Sequence, residues 1–143
     1  IRPAGSGAFH AGVEVFGKEW SFGFTTGGRS GIFVCKPRGN DRHEYRESVS
    51  MGGTNFSEAE VKNILRKLTV AWIGTDYNLL VRNCCHFSDA FCKELGVGEI
   101  PEWVLHLATL AAAVTDGVGK VFNIPRAVGS FGASVDDTDH VAI

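Results

Sequence analysis

Three cysteines and a histidine fall close together in Asn83-Cys84-Cys85-His86-Phe87-Ser88 and Cys92. The thiolate is the reactive form of cysteine. A helix beginning near Asn83 and stopping at Gly96, a natural C-cap, would set the adjacent pair where unsatisfied N–H groups and partial positive charge stabilise a thiolate. The same donors can hold the oxyanion that forms once sulfur has attacked a carbonyl, so the segment suits acyl transfer. The plain alternative is that both cysteines are small buried hydrophobes, because the segment itself supplies no base.

Helical geometry separates the two thiols. Cys84 shares a face with Phe87, Phe91 and Leu95, the face that packs on a sheet, whereas Cys85 turns toward Asp89 and Cys92. A base carried on a strand therefore reaches Cys84 more readily. Of the five histidines, His43 falls in a charged loop and His140 near the C-terminus, both read as solvated, and His106 falls at a core edge or surface. His86 is two residues from Cys84 and projects from another helix face. His10 precedes Gly12-Val13-Glu14-Val15, where alternation puts His10, Gly12 and Glu14 on one side, with Ala8 and Ala11 leaving room nearby. On pattern alone a structural His10 is the simpler reading. Glu14 shares its face but sits about 13 Å along the strand, too far to orient the ring; no third residue is evident.

A chain of 143 residues holds one domain with a real core and is too short for two. Its 44% apolar and 21% charged content are those of an ordinary globular protein. Sixteen acids against fourteen bases, a formal charge of −2, leave no basic footprint for nucleic acid. The longest apolar run, residues 104–114, is interrupted by His106 and Thr109 and is too short to span a bilayer. The N-terminus shows no secretory series, and the clustered cysteines do not make a disulfide framework. A reducing compartment follows: the cytoplasm, with the nucleus also open.

The elements that must position these residues come in order. Residues 12–16 and 19–24 read as a hairpin around Gly17-Lys18. Residues 31–35 form a third strand and 44–50 a fourth. Ser57 with Glu60 makes a capping box, Phe56 with Val61 a staple, and Val61, Ile64, Leu65 and Leu68 recur at helical spacing. Residues 77–81 read as an extended approach to the cysteine helix, and Pro101 opens a third helix running to about Thr115. The composition then turns glycine-rich. The expected organisation is one domain over 1–126 and a flexible C-terminal tail over 127–143, with Asp136, Asp137 and Asp139 solvated.

Ala8-Phe9-His10-Ala11-Gly12-Val13-Glu14-Val15, Glu19-Trp20-Ser21-Phe22-Gly23 and Ser30-Gly31-Ile32-Phe33 together resemble the PPPDE family of permuted papain-fold peptidases. So do Met51-Gly52-Gly53-Thr54, the run from Tyr77-Asn78-Leu79-Leu80 to Ser88, and Ile100-Pro101-Glu102-Trp103-Val104. The resemblance runs from about Gly7 to Ala108 with the motifs in family order. It implies an α+β, permuted papain-like fold, a small antiparallel sheet or barrel packed against a helical lobe. It implies a cysteine isopeptidase acting on conjugates of a ubiquitin-like modifier, SUMO or ubiquitin, with His10 as base and Cys84 as nucleophile, and a possible homodimer. Two departures stand out. The family usually has asparagine directly after the nucleophile, where this chain has Cys85, a second thiol that could oxidise against a partner. The family also sets a strand rich in valine and tyrosine before the histidine motif, and only residues 1–6 precede it here, so residues missing upstream are expected.

On this reading the thiolate attacks the carbonyl of a terminal glycine, the Cys84 N–H and the Asn83 side chain hold the oxyanion, and His10 protonates the leaving lysine. No cofactor is expected. A thioesterase or acyltransferase of the same permuted fold and an inactive modifier-binding module are the rivals. A zinc site at Cys84, Cys85, His86 and Cys92 is disfavoured because adjacent ligands on a helix diverge and no C-x2-C pair exists.

Overall fold

Apolar Val13, Val15 and Phe22 alternate with polar neighbours and supply one buried face of a hairpin, strands β1 (Val13–Val15) and β2 (Lys18–Phe22). The computed structural model describes residues 10–40, 47–106 and 139–143. The hairpin loop is Phe16-Gly17, with φ of 48° and 71°, one residue earlier than the sequence suggests. Positive φ at both central positions gives the turn twist that matches paired strands. The resulting register sets Val13 against Trp20, Glu14 against Glu19 and Val15 against Lys18. Strand β3 (Ile32–Cys35) pairs antiparallel with β2 and places Phe33 beside Ser21.

The far half of the sheet departs from expectation. Strand β4 covers Ser50–Gly53 rather than 44–50; residues 41–46, with His43, lie outside the described residues. Its irregular register between Ser50 and Gly52 explains why strand alternation misses it. Residues 140–142, which the sequence reading assigns to a tail, form β5 (His140–Ala142), inserted between β1 and β4. Every strand pair in the order β3-β2-β1-β5-β4 is antiparallel. Here β5 covers the side of β1 that would otherwise be a bare edge, and it buries Val141 and Ala142. A short apolar run after an acidic stretch carries too little periodicity to announce this. His140, read as solvated, shares a 2.6 Å hydrogen bond with Ser50.

Helix α1 (Glu58–Ala71) has the full capping box, Ser57 Oγ accepting from the Glu60 N–H and Glu60 Oε2 from the Ser57 N–H. Its Val61, Leu65 and Leu68 enter the core. Helix α2 (Cys84–Glu94) packs on β1 and β2 through Phe87 and Phe91, inside an aromatic cluster. Trp72 meets Phe22 at 5.0 Å and Phe87 at 5.5 Å, both edge-on. Gly96, with φ of 78°, follows α2 as the expected C-cap signal. Residues 77–82 are not extended: Asn78 Oδ1 accepts from the Leu80 and Val81 N–H groups, and the Asn78 and Arg82 backbones pair in both directions. Helix α3 (Glu102–Leu105) opens after Pro101; residues 107–115, where the sequence reading extends it, lie outside the described residues, as does most of the anticipated tail. This is an α+β fold with a sheet on one side of the core and helices on the other. Among the described residues no helix is long and apolar enough to cross a membrane.

Candidate active site

Asn83 makes the start of α2. Its Oδ1 accepts from the backbone N–H of Cys85 (2.9 Å) and of His86 (3.2 Å), while its own N–H donates to His86 Nδ1 (3.2 Å). Its Nδ2 donates to the Leu79 carbonyl (2.8 Å), tying the cap to the Asn78 turn. Asn83 is fully buried, so each of these bonds replaces water. The side chain that the sequence reading assigns to the oxyanion is thus engaged by backbone at both ends. His86 serves the cap through Nδ1, and burial lowers its pKa.

Cys84 is the first residue of α2 and is buried. Its thiol is held well below the usual thiol range. A hydrogen bond with Cys85 contributes most; burial opposes it; the His10 imidazole, by hydrogen bond and by charge, and the Ala11 backbone N–H add to it. Two other thiols go the opposite way. Burial and then Asp89 push Cys92 up to about 12, and burial and then Glu19, whose Oε2 lies 3.2 Å from the Cys35 sulfur, push Cys35 up to about 11. Cys85, fully buried beside it, is through its side chain the largest of the influences that lower the Cys84 pKa.

His10 stands just ahead of β1 and is half-buried. Its imidazole is among the groups that lower the Cys84 pKa, by a side-chain hydrogen bond and by charge. The ring lies nearly parallel to Phe33, centroids 6.1 Å apart and planes 19° apart, and its Nε2 is 3.1 Å from Ser21 Oγ. Sequence reasoning misses Ser21 through the hairpin loop. A loop at Gly17-Lys18 would set Ser21 opposite Glu14, whereas the observed register carries Ser21 to Gly12, on the side of His10.

Tyr77 is the other unanticipated neighbour. Its phenol hydrogen-bonds to both the side chain and the backbone of Cys84, and burial, then the charge on Cys84, push it up to about 12. It is therefore a protonated donor at neutral pH, beside a sulfur that favours the anion. The elements that carry this group also expose apolar side chains: Leu79, Leu80 and Val81 in the turn before α2, and Phe33, stacked on His10, in β3. His106 lies 3.6 Å from Glu102. Among the described residues no three His, Cys, Asp or Glu side chains gather as a metal site.

A family model described as the PPPDE putative peptidase domain matches residues 2–119. A desumoylating isopeptidase 1 homolog of Caenorhabditis elegans is 33% identical over 114 residues, covering 77% of this chain and 34% of the relative. A DeSI-like protein of Arabidopsis thaliana is 32% identical over 108 residues, covering 76% and 48%, and the DeSI-like protein sdu1 of Schizosaccharomyces pombe is 32% identical over 111 residues, covering 76% and 55%. The chain thus spans between about a third and just over half of the length of these curated relatives.

Proposed function

The chain belongs to the PPPDE peptidase family, and from that premise we propose that it is a cysteine isopeptidase that releases a ubiquitin-like modifier, SUMO in the first place, from lysine side chains. The observation that carries the reading is the hydrogen bond between His10 and a Cys84 thiol held far below its ordinary pKa. The choice of SUMO is supported by the name of the Caenorhabditis elegans relative, a desumoylating isopeptidase homolog.

In this mechanism the Cys84 thiolate attacks the carbonyl carbon of the modifier's terminal glycine, with His10 as the paired imidazolium. The developing oxyanion takes the Tyr77 O–H, which meets the sulfur, and the Cys84 N–H, which turns to it from the phenol oxygen. Imidazolium transfers its proton to the departing lysine amine as the C–N bond breaks, leaving a thioester on Cys84. His10, now neutral, removes a proton from water, which attacks the thioester and expels the thiolate. Asn83 contributes by fixing the first turn of α2. The exposed Leu79, Leu80, Val81 and Phe33 suit a chain laid across the site better than a small polar substrate.

The test is hydrolysis of SUMO and ubiquitin fluorogenic conjugates beside a palmitoyl thioester, with Cys84→Ser as control. Cleavage of the SUMO conjugate, lost in Cys84→Ser, supports the reading. Cleavage of the thioester alone replaces it with an acyl-thioesterase, and tight binding of modifier without cleavage replaces it with a binding module.

A further inference from the structure

His10 has one interaction that the dyad mechanism leaves unused. Ser21, fully buried in β2, puts its Oγ 3.1 Å from His10 Nε2. A neighbouring position is shaped to leave that hydroxyl space: a Cβ on Gly12 would stand 2.7 Å from Ser21 Oγ and 2.9 Å from Glu19 Cγ, so only glycine fits beside it. The next strand closes the arrangement, since Phe33 pairs with Ser21 in register and stacks on the imidazole.

We propose that Ser21 is a positioning residue for His10, accepting the Nε2–H and so holding the ring with Nδ1 toward the Cys84 sulfur. The proposal rests on the isopeptidase reading for its catalytic consequence, but not for its geometry. Through the cycle Nε2 keeps its proton and Ser21 Oγ keeps accepting it, while only Nδ1 gains and loses one. That fixes the tautomer whose free nitrogen can serve as base, the task that a carboxylate or amide performs in other triads. A neutral hydroxyl does so without adding a negative charge near the thiolate. The titratable groups facing the sulfur are His10 before β1, Cys85 and His86 on α2, and Tyr77 in the preceding turn. Glu19 of β2 is turned instead to Cys35 and the Arg38 N–H.

The test reads the thiol separately from the peptidase. In Ser21→Ala, the pH at which Cys84 reaches half-maximal alkylation by iodoacetamide should rise, and kcat on a modifier conjugate should fall about tenfold with KM unchanged, the scale of one lost hydrogen bond. Gly12→Ala, which displaces the hydroxyl, should do the same, and Ser21→Thr should restore both. A folded Ser21→Ala with wild-type alkylation profile and wild-type kcat overturns the proposal. Should Ser21→Ala not fold, 15N NMR of the wild type decides: Nε2 protonated across the titration supports it, and a neutral His10 protonated on Nδ1 overturns it. A wild type that cleaves no conjugate, yet whose Cys84 alkylation profile responds to Ser21→Ala, keeps Ser21 and removes the isopeptidase.

Discussion

The imidazole of His10, at the entry to β1, hydrogen-bonds to the sulfur of Cys84, the first residue of α2. This polar contact between sheet and helix lies beside an aromatic core of Phe22, Trp72 and Phe87. The strand hairpin, the Asn83 cap and the Tyr77 turn each position one of its neighbours.

The contact has a direct consequence for pH. A depressed thiol pKa means that the anion persists as pH falls, so alkylation of Cys84 should stay near its plateau at about pH 6, where an ordinary thiol is almost entirely protonated. His10→Ala removes two of the contributions that lower the pKa, the hydrogen bond and the charge, and should move the inflection upward. Stopped-time alkylation followed by peptide mapping measures both.

Selectivity among the thiols follows from the opposite shifts at Cys35 and Cys92. One equivalent of iodoacetamide at about pH 6 should label Cys84 and leave those two unmodified, since only a thiolate reacts. Hydrolysis should survive Cys35→Ser and vanish in Cys84→Ser.

Tyr77→Phe keeps the ring that packs on Phe22, at 5.4 Å, and deletes the hydroxyl at Cys84. A single lost oxyanion donor costs about 100- to 1,000-fold in kcat in a well-studied case. Because the Cys84 N–H remains as a donor, a fall of about 100-fold with KM little changed is expected here, measured by steady-state kinetics.

Asn83→Ala is predicted to act on stability. It removes the acceptor for two N–H groups, that of Cys85 buried and that of His86 partly so, and the donor to the Leu79 carbonyl. Loss of such a cap costs about 1–2 kcal/mol, and buried groups left unpaired put this site at the upper end. Asn83→Asp retains Oδ1 and should recover part of the loss in urea titrations.

Much of this was legible in the sequence because the signals were local. The Ser57–Glu60 box, the Gly96 stop and the face shared by Cys84, Phe87 and Phe91 lie within one or two helical turns, and the fold keeps all of them. The hairpin was legible as an element but not to the residue: Phe16 takes a positive φ that its side chain does not advertise. That single step concealed the pairing of Ser21 with Gly12, and with it a polar neighbour of the His10 ring. Tyr77 was hidden because the turn before α2 is closed by the Asn78 side chain, an arrangement that carries no hydrophobic periodicity. Strand β5 was hidden for a different reason. Its partners, β1 and β4, are far away in the chain, and the pairing that stabilises it has no local trace.

The most direct measurement is covalent trapping with a SUMO whose C-terminal glycine carries a vinyl electrophile, followed by mass mapping of the adduct. A single adduct on Cys84, lost in Cys84→Ser and strongly slowed in His10→Ala, is the predicted result. An adduct on another cysteine, or none while iodoacetamide still labels Cys84 at low pH, would contradict it.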